Sequence, residues 1–147
     1  MPATLMSVDE YLHTSFSPDC EYVDGVIVER NLGEKSHSKV QRNLLILLRQ
    51  PGIEAWPDQR VQVAPARFRI PDVCVTIGEP DEDVFTAPPL ICIEILSPED
   101  RLTRLQEKID DYLTFGVRHV WVNRSDEPAR VQVRPRRHAC RDRTRNV

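Results

Sequence analysis

The spacing of apolar positions changes several times along the chain, and each change marks an element. Ser7, with Glu10 three residues on, makes the pairing of a capping box and opens a short helix. Glu21-Tyr22-Val23-Asp24-Gly25-Val26-Ile27-Val28-Glu29 sets an Asp-Gly pair between β-branched runs, which predicts a hairpin. From about Ser36 to Gln50 the period becomes helical. Val40, Leu44, Leu47 and Leu48 recur on one face and are expected to meet the core, and Pro51-Gly52 stops the helix.

Strands are predicted next over Ile53 to Trp56, Val61 to Ala64, Asp72 to Ile77 and Leu90 to Leu96. The segment from Gly78 to Pro89 is acidic and proline-containing and reads as an exposed connection. Leu90-Ile91-Cys92-Ile93 is apolar on both faces, which predicts a central strand covered by helices. Ser97-Pro98-Glu99-Asp100 has the composition of a helix start: a capping serine, a first-turn proline, and acids at the positive end of the dipole. That helix is expected to reach Phe115 and end at Gly116, with Leu102, Leu105, Ile109, Tyr112 and Leu113 as its buried stripe. Arg118 to Asn123 and Ala129 to Val133 are two further strands. No internal repeat is visible, and the succession predicts a mixed α/β sandwich.

A chain of 147 residues favours one domain, here residues 1–133, followed by an arginine-rich tail over 134–147 that is expected to be disordered. No apolar run is long enough to cross a bilayer and no signal segment opens the chain, so a soluble cytoplasmic protein is expected. Cys20, Cys74, Cys92 and Cys140 show no zinc spacing, and Cys74 and Cys92 read as small hydrophobes inside apolar runs. The net charge of −3 is uneven: the last fourteen residues hold six arginines and one aspartate, which leaves the rest at −8. A net-acidic body argues against strong nonspecific binding to nucleic acid, so such contact needs a local basic patch or a second chain.

Two acids stand out against this background. Asp72 follows Pro71, which cannot donate a ladder hydrogen bond, so it starts a strand; it is either a turn carboxylate or a ligand. Glu94 lies among Ile91, Cys92, Ile93, Ile95 and Leu96, where an uncompensated carboxylate is costly. Alternation puts Cys92, Glu94 and Leu96 on one face and the three isoleucines on the other. The compensation is either an ion pair with Arg69 or Arg101, or a cation shared with Asp72. Lys108 sits at the edge of its helix's apolar stripe, about one turn from Leu105 and Tyr112. Its stem can lie along the sheet with the ammonium beside the carboxylates, or it is a solvated lysine near Glu107 and Asp111. Glu21 can reach the same cleft as an outer metal ligand, and His37 and Arg69 are weaker candidates for touching substrate.

Asp72, Glu94 and Lys108 supply a minimum set for hydrolysing a phosphodiester. Mg²⁺ or Mn²⁺ binds through one or two carboxylates plus substrate phosphate and activates a bound water. A nearby lysine orients that water or stabilises the charge that develops.

The same segments carry a resemblance. The run from Glu21-Tyr22-Val23-Asp24-Gly25 through His37, Arg69-Ile70-Pro71-Asp72-Val73 and Pro88-Pro89-Leu90-Ile91-Cys92-Ile93-Glu94-Ile95-Leu96-Ser97-Pro98 resembles the Uma-two family of restriction-type endonucleases. Glu107-Lys108-Ile109-Asp110-Asp111-Tyr112 and Gly116-Val117-Arg118-His119-Val120-Trp121-Val122 fit the same pattern, so the likeness covers roughly residues 5 to 123. That family belongs to the PD-(D/E)xK nuclease superfamily. The resemblance implies a restriction-endonuclease-like mixed β-sheet flanked by helices, a Mg²⁺-type cation, and DNA as substrate. It matches Asp72 to the superfamily aspartate, Glu94 to the second acid, Lys108 to a helical lysine and Glu21 to a recurring acidic position. Leu96 stands where the superfamily lysine is usual. After Trp121-Val122 the family continues with an Asp-Pro turn, whereas Asn123-Arg124-Ser125 stands here, so a shortened C-terminal region is expected. Cutting of both strands favours a homodimer. The rival readings are a degenerate member that binds nucleic acid or protein without cleaving, and a structural domain whose Glu94 is merely ion-paired.

Overall fold

In the computed structural model, residues 5–30 and 34–126 are described in full and 132–134 by their backbone. The first element is helix α1 (Val8–Leu12), closed by the predicted capping box between Ser7 and Glu10. Strands β1 (Glu21–Val23) and β2 (Val26–Val28) form the predicted hairpin. Asp24 and Gly25 both take positive φ at its turn, the conformation that the Asp-Gly pair tolerates. Helix α2 (Lys35–Leu48) follows, then β3 (Ile53–Pro57), β4 (Val61–Ala64), β5 (Arg67–Arg69), β6 (Val73–Ile77) and β7 (Ile91–Leu96). Helix α3 (Leu102–Phe115) and strands β8 (His119–Arg124) and β9 (Gln132–Arg134) complete the described order.

The strands form two sheets. The larger has the order β3-β6-β7-β8-β9, and the smaller β2-β1-β5-β4. β7 is the centre of the larger sheet, antiparallel to β6 and parallel to β8, with α3 as the crossover. Its alternation holds as expected. Ile91, Ile93 and Ile95 share a buried cluster with Leu44, Val40, Leu45 and Leu48 of α2. Cys92 packs on the opposite face with Ile109 and Tyr112 of α3, together with Val61 and Val63 of β4. Helix α3 is thus held between the large sheet and the small one. Tyr11, Tyr22 and Phe68 make a third, aromatic cluster. Cys74 and Cys92 are buried free thiols that pair across β6 and β7, in keeping with their reading as small hydrophobes.

Several expectations are corrected. Leu47 is 74% exposed, and Leu45 takes its place in the cluster that also holds Ile53 and Ala55 of β3. Ser97 does not cap α3. Its segment closes as a separate turn, with the Asp100 N–H donating to the Ser97 carbonyl and the Ser97 N–H to Asp100 Oδ2, so Arg101 becomes the N-cap. Leu102, in the first turn and ahead of the packed stretch that begins at Leu105, is 72% exposed. The connection from Gly78 to Pro89 is not wholly exposed: Phe85 is buried and bonds to β4 through Gln62 and to Arg60 by backbone. β5 was not predicted, its Arg-Phe-Arg holding a single apolar residue, although Phe68 is fully buried. The expected last strand is present as β9, paired to β8. Most of the arginine-rich tail lies outside the described residues. Among the described residues no helix is long and apolar enough to cross a membrane.

Candidate active site

Neighbouring strands bring the two acids together. Val73 of β6 pairs with Ile93 of β7 in antiparallel register, so Asp72 and Glu94 are the next residues along each strand. The Ile95 N–H donates to Asp72 Oδ2 at 2.7 Å, a bond that ties the start of β6 to the end of β7. Asp72 Oδ1 lies 3.1 Å from His37 Nε2 and 3.4 Å from Arg30 Nη2. Gln41, one helical turn after His37, donates from Nε2 to the Asp72 carbonyl at 2.8 Å. Two residues on one face of α2 therefore fix both the backbone and the side chain of Asp72. Burial alone would raise the Asp72 carboxyl, but the bond from His37, its charge, the Ile95 N–H and Arg30 together hold it below its usual range. The same bond to Asp72 raises His37 above the usual imidazole range.

Glu94 projects from the opposite face of β7 to the isoleucines and meets α3. Tyr112 donates its hydroxyl to Glu94 Oε1 at 2.6 Å, and Lys108 Nζ stands 3.7 Å from Oε2. Lys108 and Tyr112 are four residues apart, on one helical face. Burial pushes the Glu94 carboxyl up to about 8; Lys108 opposes that shift, while the negative charges of Asp72 and Glu21 add to it. Lys108 is itself raised: burial disfavours its charge, but Glu94 and Glu21 outweigh that. Its closest partner is Glu21 Oε1 at 2.9 Å. The other Glu21 oxygen accepts the Ile70 N–H at 3.0 Å.

Glu21, His37, Asp72, Glu94 and Lys108 all line one pocket of about 220 Å³, with Arg30, Glu99, Asp100, Arg101 and Arg104 also on its wall. Sequence reasoning therefore brought five of its six candidates to one place. Arg69 is the exception. Its Nε bonds to Asp111 Oδ2 at 2.8 Å, and Arg67 Nη1 takes the other Asp111 oxygen at the same distance. The pair clamps β5 to α3 and leaves Arg69 neither beside Glu94 nor on the pocket wall. The ion partner proposed for Glu94 is accordingly a lysine, not Arg69 or Arg101. Glu21 anchors the lysine through one oxygen and the Ile70 N–H through the other, beside the two candidate ligands Asp72 and Glu94.

Among the described residues no three His, Cys, Asp or Glu side chains gather into a complete metal cage. The donor set nevertheless fits a Mg²⁺-type ion, which keeps several waters and takes only one or two carboxylates. Burial chiefly, and next the charges of Asp72 and Glu21, raise the Glu94 carboxyl on a wall where Lys108 is its nearest cation.

A mixed sheet flanked by helices, with two acids on adjacent strands and a lysine from the crossover helix, defines a restriction-endonuclease-like nuclease fold. The chain belongs to the Uma2 family, described as "Putative restriction endonuclease", whose sequence profile matches residues 8–144. The match continues past residue 123, where the recognisable motifs stop, and over β9. Among solved structures the chain is similar to one titled as a putative nuclease belonging to DUF820 from Anabaena variabilis ATCC 29413. The two share 24% identity and a TM-score of 0.72, over 87% of this chain and 83% of that one. No curated protein matches the chain.

Four contributors to the site were not singled out from sequence. Tyr112 was read only as part of a core stripe, although a buried phenol needs a hydroxyl partner and lies one turn from Lys108. Gln41 is similarly one turn from His37. Arg30 gave no local signal, since it follows a strand and reaches Asp58 and Asp72 only through the fold. Arg104 likewise gave none.

Proposed function

We propose that the chain is a metal-dependent endonuclease that hydrolyses phosphodiester bonds in DNA. The observation that carries this reading is the convergence of Asp72, Glu94 and Lys108 on one polar pocket. Asp72 and Glu94 would hold the cation, which when bound supplies an activated water and offsets charge on the scissile phosphate.

The residues around them have separable tasks. Ile95 N–H, His37 and Arg30 fix Asp72 in its ionised form, with one oxygen tied to the sheet. Tyr112 fixes one oxygen of Glu94 and leaves the other toward Lys108. Glu21 holds the Lys108 ammonium at the pocket wall, where it stabilises negative charge on the reacting phosphate. This lysine comes from α3 and so fills the role that Leu96 cannot. Mg²⁺ and Mn²⁺ are the cations this oxygen set suits. Cutting both strands of a duplex calls for two such sites, which a symmetric pair of chains provides.

The test is incubation of supercoiled plasmid and labelled duplex oligonucleotides with the chain in Mn²⁺, Mg²⁺ or EDTA. Nicking or linearisation is expected only with the cation, and Lys108→Ala is expected to slow it by at least about a hundredfold. Equal products in EDTA, or undiminished cutting by Lys108→Ala, would overturn the proposal.

A further inference from the structure

The pocket wall holds four Lys and Arg side chains, and they differ in one respect. Lys108 and Arg30 are bound to carboxylates. Arg101 and Arg104 are exposed, and their guanidinium groups make no ion pair or hydrogen bond among the described residues. The nearby Asp100 is held by the Ser97 N–H through Oδ2. The first 133 residues carry a net charge of −8, and these two arginines stand directly beside the acidic site.

Their placement is regular. Arg104 and Lys108 lie about 40° apart around α3 at 100° per residue, and Arg101, the N-cap, lines the same pocket wall. At 1.5 Å per residue they rise along the axis in steps of about 4.5 Å and 6 Å. The three cations therefore line one wall, from the site to the start of the helix. A wall of cations that begins at a phosphodiester-cleaving centre matches a polyanion with regularly repeated charges.

We propose that Arg101 and Arg104 hold backbone phosphates next to the scissile one on the same DNA strand. The inference rests on the nuclease reading and adds the substrate contact that reading lacks. The contact is to phosphate alone, so it positions the strand and carries no sequence preference. It also resolves the charge problem, because the basic patch that a net-acidic body needs lies at the mouth of the site.

The experiment is fluorescence anisotropy of short fluorescein-labelled duplexes with the full chain in EDTA, over a series of salt concentrations. The variants are Arg101→Gln with Arg104→Gln, and Arg42→Gln on the outer face of α2 as control. The double variant is expected to bind roughly tenfold more weakly, by the same factor for unrelated sequences, with the log–log salt slope reduced by about 2. In Mn²⁺ its cleavage is expected to show a raised KM with kcat little changed. Unchanged affinity and salt slope would overturn the inference, as would a parent chain that binds no duplex. The two readings fail separately. Binding that depends on the arginines in a parent chain that never cuts supports the phosphate contacts and sinks the cleavage reading. Cutting by a double variant that binds as the parent does would have the reverse meaning.

Discussion

The Tyr112 hydroxyl donates a 2.6 Å hydrogen bond to Glu94 Oε1, and both side chains are buried between α3 and the central strand. One helix thus both orients an acid of the site, through Tyr112, and supplies the cation opposite it, through Lys108. The position of α3 is fixed in turn by Asp111, gripped by Arg67 and Arg69 of β5. The small sheet acts as the rest against which the helix is set, and its β1 also places Glu21 on the pocket wall.

Tyr112→Phe keeps the shape of the core and removes only the hydroxyl. It leaves Glu94 Oε1 without its donor, at a cost of about 1–3 kcal/mol in folding stability. Urea unfolding in EDTA measures this. Cleavage is expected to fall as well, with kcat reduced more than KM rises, because Glu94 loses its orientation and not its charge. Unaltered stability together with full activity would show that the hydrogen bond does nothing.

Lys108→Met breaks the ion pairs with Glu21 and Glu94 and strands two buried carboxylates. Removing one partner of a buried pair typically costs about 3–5 kcal/mol. Glu21→Gln made in the Lys108→Met background is expected to recover part of that loss, so a double-mutant cycle gives a coupling of about 1–3 kcal/mol. Activity does not return in the double variant. Strict additivity of the two changes would mean that the 2.9 Å contact carries no energy.

The metal-free chain is expected to become less stable as pH rises. Glu94 titrates near 8 when folded against an ordinary value of 4.5, chiefly because it is buried. Between those values the folded chain keeps a proton that the unfolded chain has lost. Stability is therefore highest below 4.5, falls as pH rises toward 8 and levels off above it, with a steepest slope of about 1.4 kcal/mol per pH unit. His37 adds in the same direction, since its raised value makes its contribution full below 6.5 and lost as pH rises through the folded value. Asp72 acts oppositely: its depressed carboxyl contributes above 3.8, and that contribution is lost as pH falls through the folded value. Glu94→Gln flattens the decline, as chemical denaturation across pH would record. Parent and variant curves of the same shape would contradict the assignment.

Much of this arrangement was legible because local chemistry was strong. The Asp-Gly turn, the capping box and the both-face apolar run of β7 each have one satisfactory structural solution. Glu94 was conspicuous for the same reason, being a charge in a strand with no polar face. What sequence could not reach depends on long-range packing. The face of α2 is decided by β3, which selects Leu45 over Leu47. Arg69, like Arg101, was a candidate ion partner for Glu94. The approach of α3 gives it Asp111 instead, 42 residues away in sequence but 2.8 Å away in space. Ser97 matched every preference of a cap, yet Asp100 closes the turn first.

Leu47→Gln and Leu102→Gln test the two helix positions that were expected to be buried and are exposed. Both side chains are exposed, so each change is expected to shift folding stability by no more than about 0.5 kcal/mol. Leu44→Ala, on the buried side of the same helix, is expected to cost about 2–5 kcal/mol. Thermal unfolding of the three variants side by side discriminates them. A large loss at Leu47 or Leu102 would mean that those faces are covered in solution.

The most direct measurement is titration of the metal-free chain with Mn²⁺, followed by the electron paramagnetic resonance of the free ion, for the parent, Asp72→Asn and Glu94→Gln. The parent is expected to bind one Mn²⁺, with Mg²⁺ competing for it, and each single substitution to weaken that binding at least tenfold while the chain stays folded. Binding that survives both substitutions, or no binding by the folded parent with or without duplex DNA, would contradict a shared cation between Asp72 and Glu94.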